Sequence, residues 1–363
     1  MSSYSRRDFL FATLTPALAR IQPVSAGDFI GIIPFGPPGI PTTPLDRRLG
    51  AGLDARLFTD LTTLGKPQSD LITPNERFYV RTAAPDGPAP RPGIDFARLE
   101  RTPGPIRVGP YLMECAGNSD PANFGLMSVA TWTGFPMSAV IEQIGDRAGP
   151  RILVSGTDPT GPSATSARGA SWIFSREDLE RAVLAVQMND APLPADHGGP
   201  VRLVVPGWYG CTCIKWVDRI ERVAEDAPAT SQMLEFAART HQTLTAKLAR
   251  EFVPATIDTA AMPVRVEKWR VDGRLEYRIT GIIWGGSTPT SALSIRFKSG
   301  GPWTRVEHCP LPASTLTWSL WTHTWRPDAP GRYEIVLRVD DSSIRTRRLD
   351  LFFYVREIEI AEV

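Results

Sequence analysis

The sequence predicts an α+β domain followed by a β-sandwich, and three observations carry that prediction. At 363 residues the chain is long enough for two cores, because a single hydrophobic core stops growing beyond about 250–300 residues. Between Ile106 and Val205, runs of strand and helix character alternate irregularly, which indicates an α+β domain. Beyond Phe252-Val253-Pro254 the apolar period changes to two, with short strands spaced by Gly, Pro, Asp and Ser. The expected boundaries are 27–252 for the first domain and 255–363 for the second, after a leader at 1–26.

The leader comes first. Ser5-Arg6-Arg7-Asp8-Phe9-Leu10 has the twin-arginine pattern, and Phe11 to Ala19 adds a modest apolar stretch. That stretch is shorter than the ~20 residues a bilayer span needs. Ala17-Leu18-Ala19 and Val24-Ser25-Ala26 are both candidate cleavage sites. The expectation is export of a folded protein to the periplasm, with no integral membrane segment after processing.

Residues 27–70 are rich in Gly and Pro and read as an extended arm over the first domain. Ile106 to Val108 and Tyr111 to Glu114 read as strand, Ser138 to Ile144 as a short helix, and Ile152 to Val154 as strand. Ser175 with Asp178 three residues on is a capping-box-like helix start. Leu184 to Met188 and Val201 to Val205 are apolar, β-branched runs ended by turn residues, hence buried strands. Met233, Leu234, Phe236, Ala237, Leu244 and Leu248 recur at near-helical spacing and predict an amphipathic helix. The strands expected beyond the linker are Val264 to Val266, Leu275 to Trp284, Leu293 to Phe297, Leu316 to Trp325, Tyr333 to Val339 and Leu349 to Tyr354.

Net charge is +1 and no basic run is interleaved with aromatics. Neutralising phosphates requires a clustered cationic face, so nucleic acid is not an expected partner. Of the four cysteines, Cys211 and Cys213 are one residue apart. Disulfide geometry disfavours so small a ring, and no second pair at zinc-ligand spacing completes four ligands. They read as packing residues.

Cys115 lies in Met113-Glu114-Cys115-Ala116-Gly117-Asn118, where an apolar strand runs into loop residues that tolerate left-handed backbone. A lone cysteine is ordinarily a small buried hydrophobe. A thiolate on such a loop can also ligate a soft metal. Four further stretches accompany it: Thr73 to Arg81, Gly156-Thr157-Asp158, Pro192 to Arg202 with its His197, and Pro206 to Gly210 followed by Cys213-Ile214-Lys215-Trp216. In this order they resemble the sulfite oxidase family of molybdopterin-dependent oxidoreductases. Trp284-Gly285-Gly286, Gly300 to Trp303, and Trp325 with Pro330-Gly331 are similar to that family's immunoglobulin-like second domain, which forms dimers in some relatives.

The resemblance implies a sulfite-oxidase-type α+β cofactor domain, a molybdenum atom on molybdopterin, and Cys115 as the metal ligand. It implies that Arg81 acts beside Cys115 in catalysis, and that Tyr79, Asp158, His197, Arg202, Cys213, Ile214 and Lys215 contact the cofactor. Two departures stand out. Ser119 and Asp120 follow the Cys-Ala-Gly-Asn run where sulfite-oxidising members carry arginines, and the stretch from Ser231 to Gln242 holds no tyrosine, offering Thr240 or His241 instead. An aspartate opposes a dianion in a partly dry pocket. The substrate is therefore expected to be a small molecule that need not be sulfite, with a neutral S- or N-oxide as the alternative. A non-catalytic envelope interaction protein is the reading from another class. No Cys-x-x-Cys-His motif occurs, so electrons are expected to pass to or from a separate carrier such as a c-type cytochrome.

Overall fold

The computed structural model describes residues 27–36, 47–48, 54–66, 71–81, 104–119, 124–144, 149–157 and 170–363. The leader, Asp120 and Asp158 lie outside these residues. The described residues are mostly β, with two short α-helices and several single 3-10 turns, rather than an even mixture of helix and strand. Among them no helix is long and apolar enough to cross a membrane.

In chain order the elements are β1 (Asp28–Ile33), β2 (Arg47–Arg48), β3 (Asp54–Leu57), β4 (Val80–Arg81), β5 (Ile106–Glu114), β6 (Met127–Pro136), α1 (Met137–Gln143), β7 (Arg151–Gly156) and β8 (Ser171–Phe174). There follow β9 (Val183–Met188), β10 (Ala191–Pro192), β11 (Arg202–Val204), β12 (Val217–Val223) and α2 (Ser231–Glu235). The last stretch holds β13 (Ala260–Val271), β14 (Arg274–Trp284), β15 (Leu293–Arg296), β16 (Thr304–Arg305), β17 (Ser319–Trp325), β18 (Gly331–Val339) and β19 (Arg356–Ile360).

The first unit is built on the sheet β10-β9-β6-β5, with β11 also on β9, and on the smaller sheets β12-β7-β8 and β2-β3-β4. The second unit has two four-stranded sheets, β1-β13-β14-β17 and β16-β15-β18-β19, which share one core. The β5-β6 pair lies between the two cores. Because side chains alternate across a strand, Met113, Cys115, Ala130 and Trp132 enter the first core, while Leu112, Met127 and Val129 enter the second. This explains why β6 is buried along most of its length.

Hydrogen bonds also tie β5 and the segment before β4, whose Leu64 and Leu71 pack in the second core, to the C-terminal strands. Arg265, buried on β13, donates from Nη1 to the carbonyls of Thr62 (2.6 Å) and Leu64 (2.7 Å). Trp318 Nε1 donates to Leu71 O at 2.9 Å, and Leu112 N donates to Leu316 O at 2.7 Å.

Several expectations change. The arm expected over the first domain places Asp28–Ile33 on the edge of the second unit's sheet, antiparallel to Val266–Arg270. The long amphipathic helix reduces to α2 and a 3-10 turn at Ala238–Thr240. The chain breaks at His241, whose φ is +61°, and Leu244 is 74 % exposed. The Gln242 side chain takes over there, accepting from Val253 N at 2.8 Å and donating to Val253 O at 3.0 Å. The helix expected after Ser175 is a 3-10 turn, although both reciprocal cap bonds form, Ser175 N to Asp178 Oδ2 (2.8 Å) and Asp178 N to Ser175 Oγ (3.1 Å). Leu349 to Tyr354 is turn rather than strand, and the final strand is β19, where Arg356, Ile358 and Ile360 alternate inward.

Candidate active site

Strand β5 ends by delivering Cys115 into a closed turn. Cys115 N donates to Leu126 O (2.9 Å), Asn118 N donates to Cys115 O (2.9 Å), and Asn118 Oδ1 accepts from Leu126 N (3.1 Å). The sulfur accepts from Gly117 N at 3.4 Å and from Arg81 Nη1 at 2.9 Å. Gly117 is needed for this approach: a Cβ there would lie 2.6 Å from Arg81 Nη1 and 3.2 Å from Arg239 Nη1. Two guanidiniums therefore flank the thiol loop. The Cys115 sulfur beside it holds the Arg81 guanidinium above the ordinary arginine value.

Arg81 is placed by β4 and by the segment before it. The 3-10 turn Asn75–Arg77 is braced by Asn189, whose Nδ2 donates to Asn75 Oδ1 (2.8 Å) and Thr73 O (2.8 Å). Tyr79 N donates to Ser128 Oγ at 2.9 Å, and its ring is buried against Phe78. Burial, then the nearby Cys115, pushes the Tyr79 phenol well up, so it keeps its proton. Gly210 fits against that phenol; a Cβ there would be 2.7 Å from the Tyr79 hydroxyl.

The remaining expected contacts form a connected wall. His197 is 4 % exposed and its Nε2 lies 3.1 Å from Asn75 O. Burial lowers its pKa below the ordinary 6.5, with Asp196 opposing. Arg202 is buried over the Trp132 ring and donates to His197 O (2.8 Å), Cys213 O (3.0 Å) and Met113 Sδ (3.1 Å). Its Nε is buried with no hydrogen-bond partner. Lys215 Nζ donates to Arg81 O and Asp196 O, both at 3.3 Å, and lies 4.4 Å from the Trp216 ring centroid. Gly198, at φ +103°, lets the chain pass Lys215, since a Cβ there would sit 2.9 Å from the Lys215 stem. Cys213 and Ile214 point into the first core, and burial pushes the Cys213 thiol up. All four cysteines are free. Asp158 lies outside the described residues.

Sequence reasoning missed two features. Arg239 occupies the place considered for Thr240 or His241: Thr240 is buried and bonds back to Phe236 O (2.9 Å), while His241 Nε2 pairs with Asp258 Oδ2 (3.3 Å). No periodic signal marks Arg239, because it sits on an irregular turn. The second feature is Glu114, 1 % exposed, whose carboxylate meets Arg347 from the far end of the chain. A separation of 233 residues leaves no local trace.

Among the described residues no group of three or more His, Cys, Asp or Glu could hold a metal ion. A metal at Cys115 must therefore bring most of its ligands with it. A cofactor with its own sulfur donors and an anionic tail fits these residues: the soft thiol faces a cationic wall, Arg202 Nε is buried and unpartnered, and Gly117, Gly198 and Gly210 let Arg81, Lys215 and Tyr79 pack close around the loop.

A family profile described as "Oxidoreductase molybdopterin binding domain" matches residues 94–231. The chain is 26% identical over 313 residues to sulfite oxidase of Gallus gallus, covering 75% of this chain and 67% of that protein. It is 30% identical over 218 residues to mitochondrial sulfite oxidase of Mus musculus, covering 54% of this chain but only 38% of that protein. In fold it is similar to the crystal structure of the sulfane dehydrogenase SoxCD from Paracoccus pantotrophus, with a TM-score of 0.57, 17% identity and 91% of each chain covered.

Proposed function

The chain belongs to the sulfite oxidase family of molybdenum-dependent oxidoreductases, and on that premise we propose that it transfers an oxygen atom to or from a small sulfur-containing or other oxo substrate beside Cys115. The observation that carries this is the Arg81 Nη1 to Cys115 Sγ contact of 2.9 Å on a glycine turn. When bound, the molybdenum-molybdopterin cofactor supplies two-electron redox chemistry and an oxygen-accepting centre.

The protein's own residues place and polarise. Cys115 anchors the metal through its sulfur. Arg81 and Arg239 present planar donor forks to a negatively polarised substrate oxygen. Their pairing supports an oxyanion or strongly dipolar oxide despite Ser119, whose exposed hydroxyl only approaches Gly117 O at 3.5 Å. Lys215 and Arg202 suit the anionic part of the cofactor. Tyr79, neutral in its buried site, offers a hydroxyl and not a charge. The Phe78, Tyr79 and Trp132 rings close the inner side against water.

With this centre go twin-arginine export to the periplasm, exchange of electrons with a separate carrier such as a c-type cytochrome, an immunoglobulin-like second domain and assembly as a homodimer. Sulfite-dependent cytochrome c reduction measured beside sulfoxide-dependent oxidation of a reduced dye tests the substrate class. Turnover in one assay assigns the direction. Absence of both, in protein carrying molybdenum, overturns a sulfur-oxide substrate.

A further inference from the structure

Side-chain alternation at the end of β5 turns Glu114 away from the first core while Cys115 faces it. The Glu114 carboxylate is 1 % exposed, and the C-terminal unit saturates it. Arg347 donates from Nη1 to Oε1 and from Nη2 to Oε2, both at 2.8 Å, and Trp284 Nε1 donates to Oε2 at 2.9 Å. Arg347 is held in turn by Tyr354 OH at 2.9 Å and lies over the Tyr209 ring. On the loop side, Asn118 Nδ2 reaches Glu114 Oε1 at 3.5 Å while its Oδ1 accepts from Leu126 N. One carboxylate thus joins both ends of the Cys-Ala-Gly-Asn turn to two anchors of the other unit, Trp284 fully buried and Arg347 largely so. A bidentate guanidinium fixes orientation as well as distance.

We propose that Glu114 is a positioning residue for the Cys115 sulfur, and that the C-terminal unit sets the geometry of this loop through Arg347 and Trp284. The inference rests on Cys115 being the metal anchor. Groups that orient a metal ligand typically change affinity or activity by about 10–100-fold when removed.

The test uses the full chain with Arg347→Ala, Arg347→Lys, Glu114→Gln and Trp284→Phe. Amide hydrogen exchange is first measured on cofactor-free protein. Exchange at residues 115–118 should rise about tenfold or more in Arg347→Ala, the loss of a charge-assisted hydrogen bond from the local opening equilibrium, with β13 and β14 unchanged, and Arg347→Lys should restore part of the protection. In protein from a molybdenum-replete host, the sulfur-to-metal absorption of Arg347→Ala should shift in wavelength, which loss of packing alone does not cause. If Arg347→Ala fails to fold, Trp284→Phe, which removes one donor and keeps a ring, must still speed exchange in the loop. Unchanged loop exchange in folded Arg347→Ala or Trp284→Phe overturns the clamp. Wild-type protein without molybdenum contradicts the function instead, so the two failures are read separately.

Discussion

At Arg81 and Arg239 the two guanidiniums reach the same glycine turn from different elements, and their roles separate by substitution. Arg81 touches the sulfur, so Arg81→Lys loses the planar fork and should lower kcat and raise KM together. Arg239 approaches only the open side, so Arg239→Ala should raise KM for an anionic substrate by about tenfold, near 1.4 kcal/mol for a charged hydrogen bond, and leave kcat little changed. A KM unaltered in Arg239→Ala would remove that residue from the pocket. His197 gives a pH prediction. Its folded pKa lies below 6.5, chiefly through burial, and His323 is lowered for the same reason. Both favour the neutral form, so below the unfolded value the unfolded chain binds protons that the native chain does not. Stability is full above pH 6.5 and falls as pH drops, by up to ~1.4 kcal/mol per pH unit for each group. Denaturant titrations at stepped pH should show this slope, shallower in His197→Gln. A stability that rises on acidification would contradict it.

Elements differ in how far the sequence announces them. The β5 and β9 strands and α1 were legible because period and burial agree, as at Leu184 and Met188, each fully buried. The helix expected over Met233 to Leu248 was not, because its spacing is supplied partly by Leu234 and Leu244, which face solvent. There the Gln242 bonds to Val253 replace a helical ladder. Leu349 to Tyr354 misled in the same way, since Phe352 is 66 % exposed and the run turns before β19. Cys115, Arg81, His197, Arg202 and Lys215 were legible because motif order keeps them together, whereas Arg239 and the Glu114 to Arg347 pair depend on tertiary placement. Gly198, at φ +103° against Lys215, tests the wall as an element. Gly198→Ala should destabilise by about 1–2 kcal/mol, the ordinary left-handed penalty plus contact. A thermal midpoint equal to wild type would show that the turn relaxes freely.

At the scale of the molecule, two cores share the β5-β6 pair, so the site is built on a wall that both units support. Arg265 shows the consequence for stability. Its guanidinium reaches Thr62 and Leu64 carbonyls as well as Glu267 Oε1 at 2.7 Å. Arg265→Ala would leave the Thr62 and Leu64 carbonyls without this donor, while the partly buried Glu267 keeps its bond from Trp269 Nε1 (3.0 Å), and should cost roughly 1.5–3 kcal/mol, with both units losing structure in one transition by circular dichroism and tryptophan fluorescence. Separate transitions would show that the cores are independent. Whether Cys115 anchors a molybdenum cofactor within this shared frame is decided by metal and pterin analysis of wild type and Cys115→Ser purified from a molybdenum-replete host. Near-stoichiometric molybdenum and pterin are expected in wild type, with Cys115→Ser inactive. Wild type without molybdenum, or full activity in Cys115→Ser, would contradict this role of Cys115.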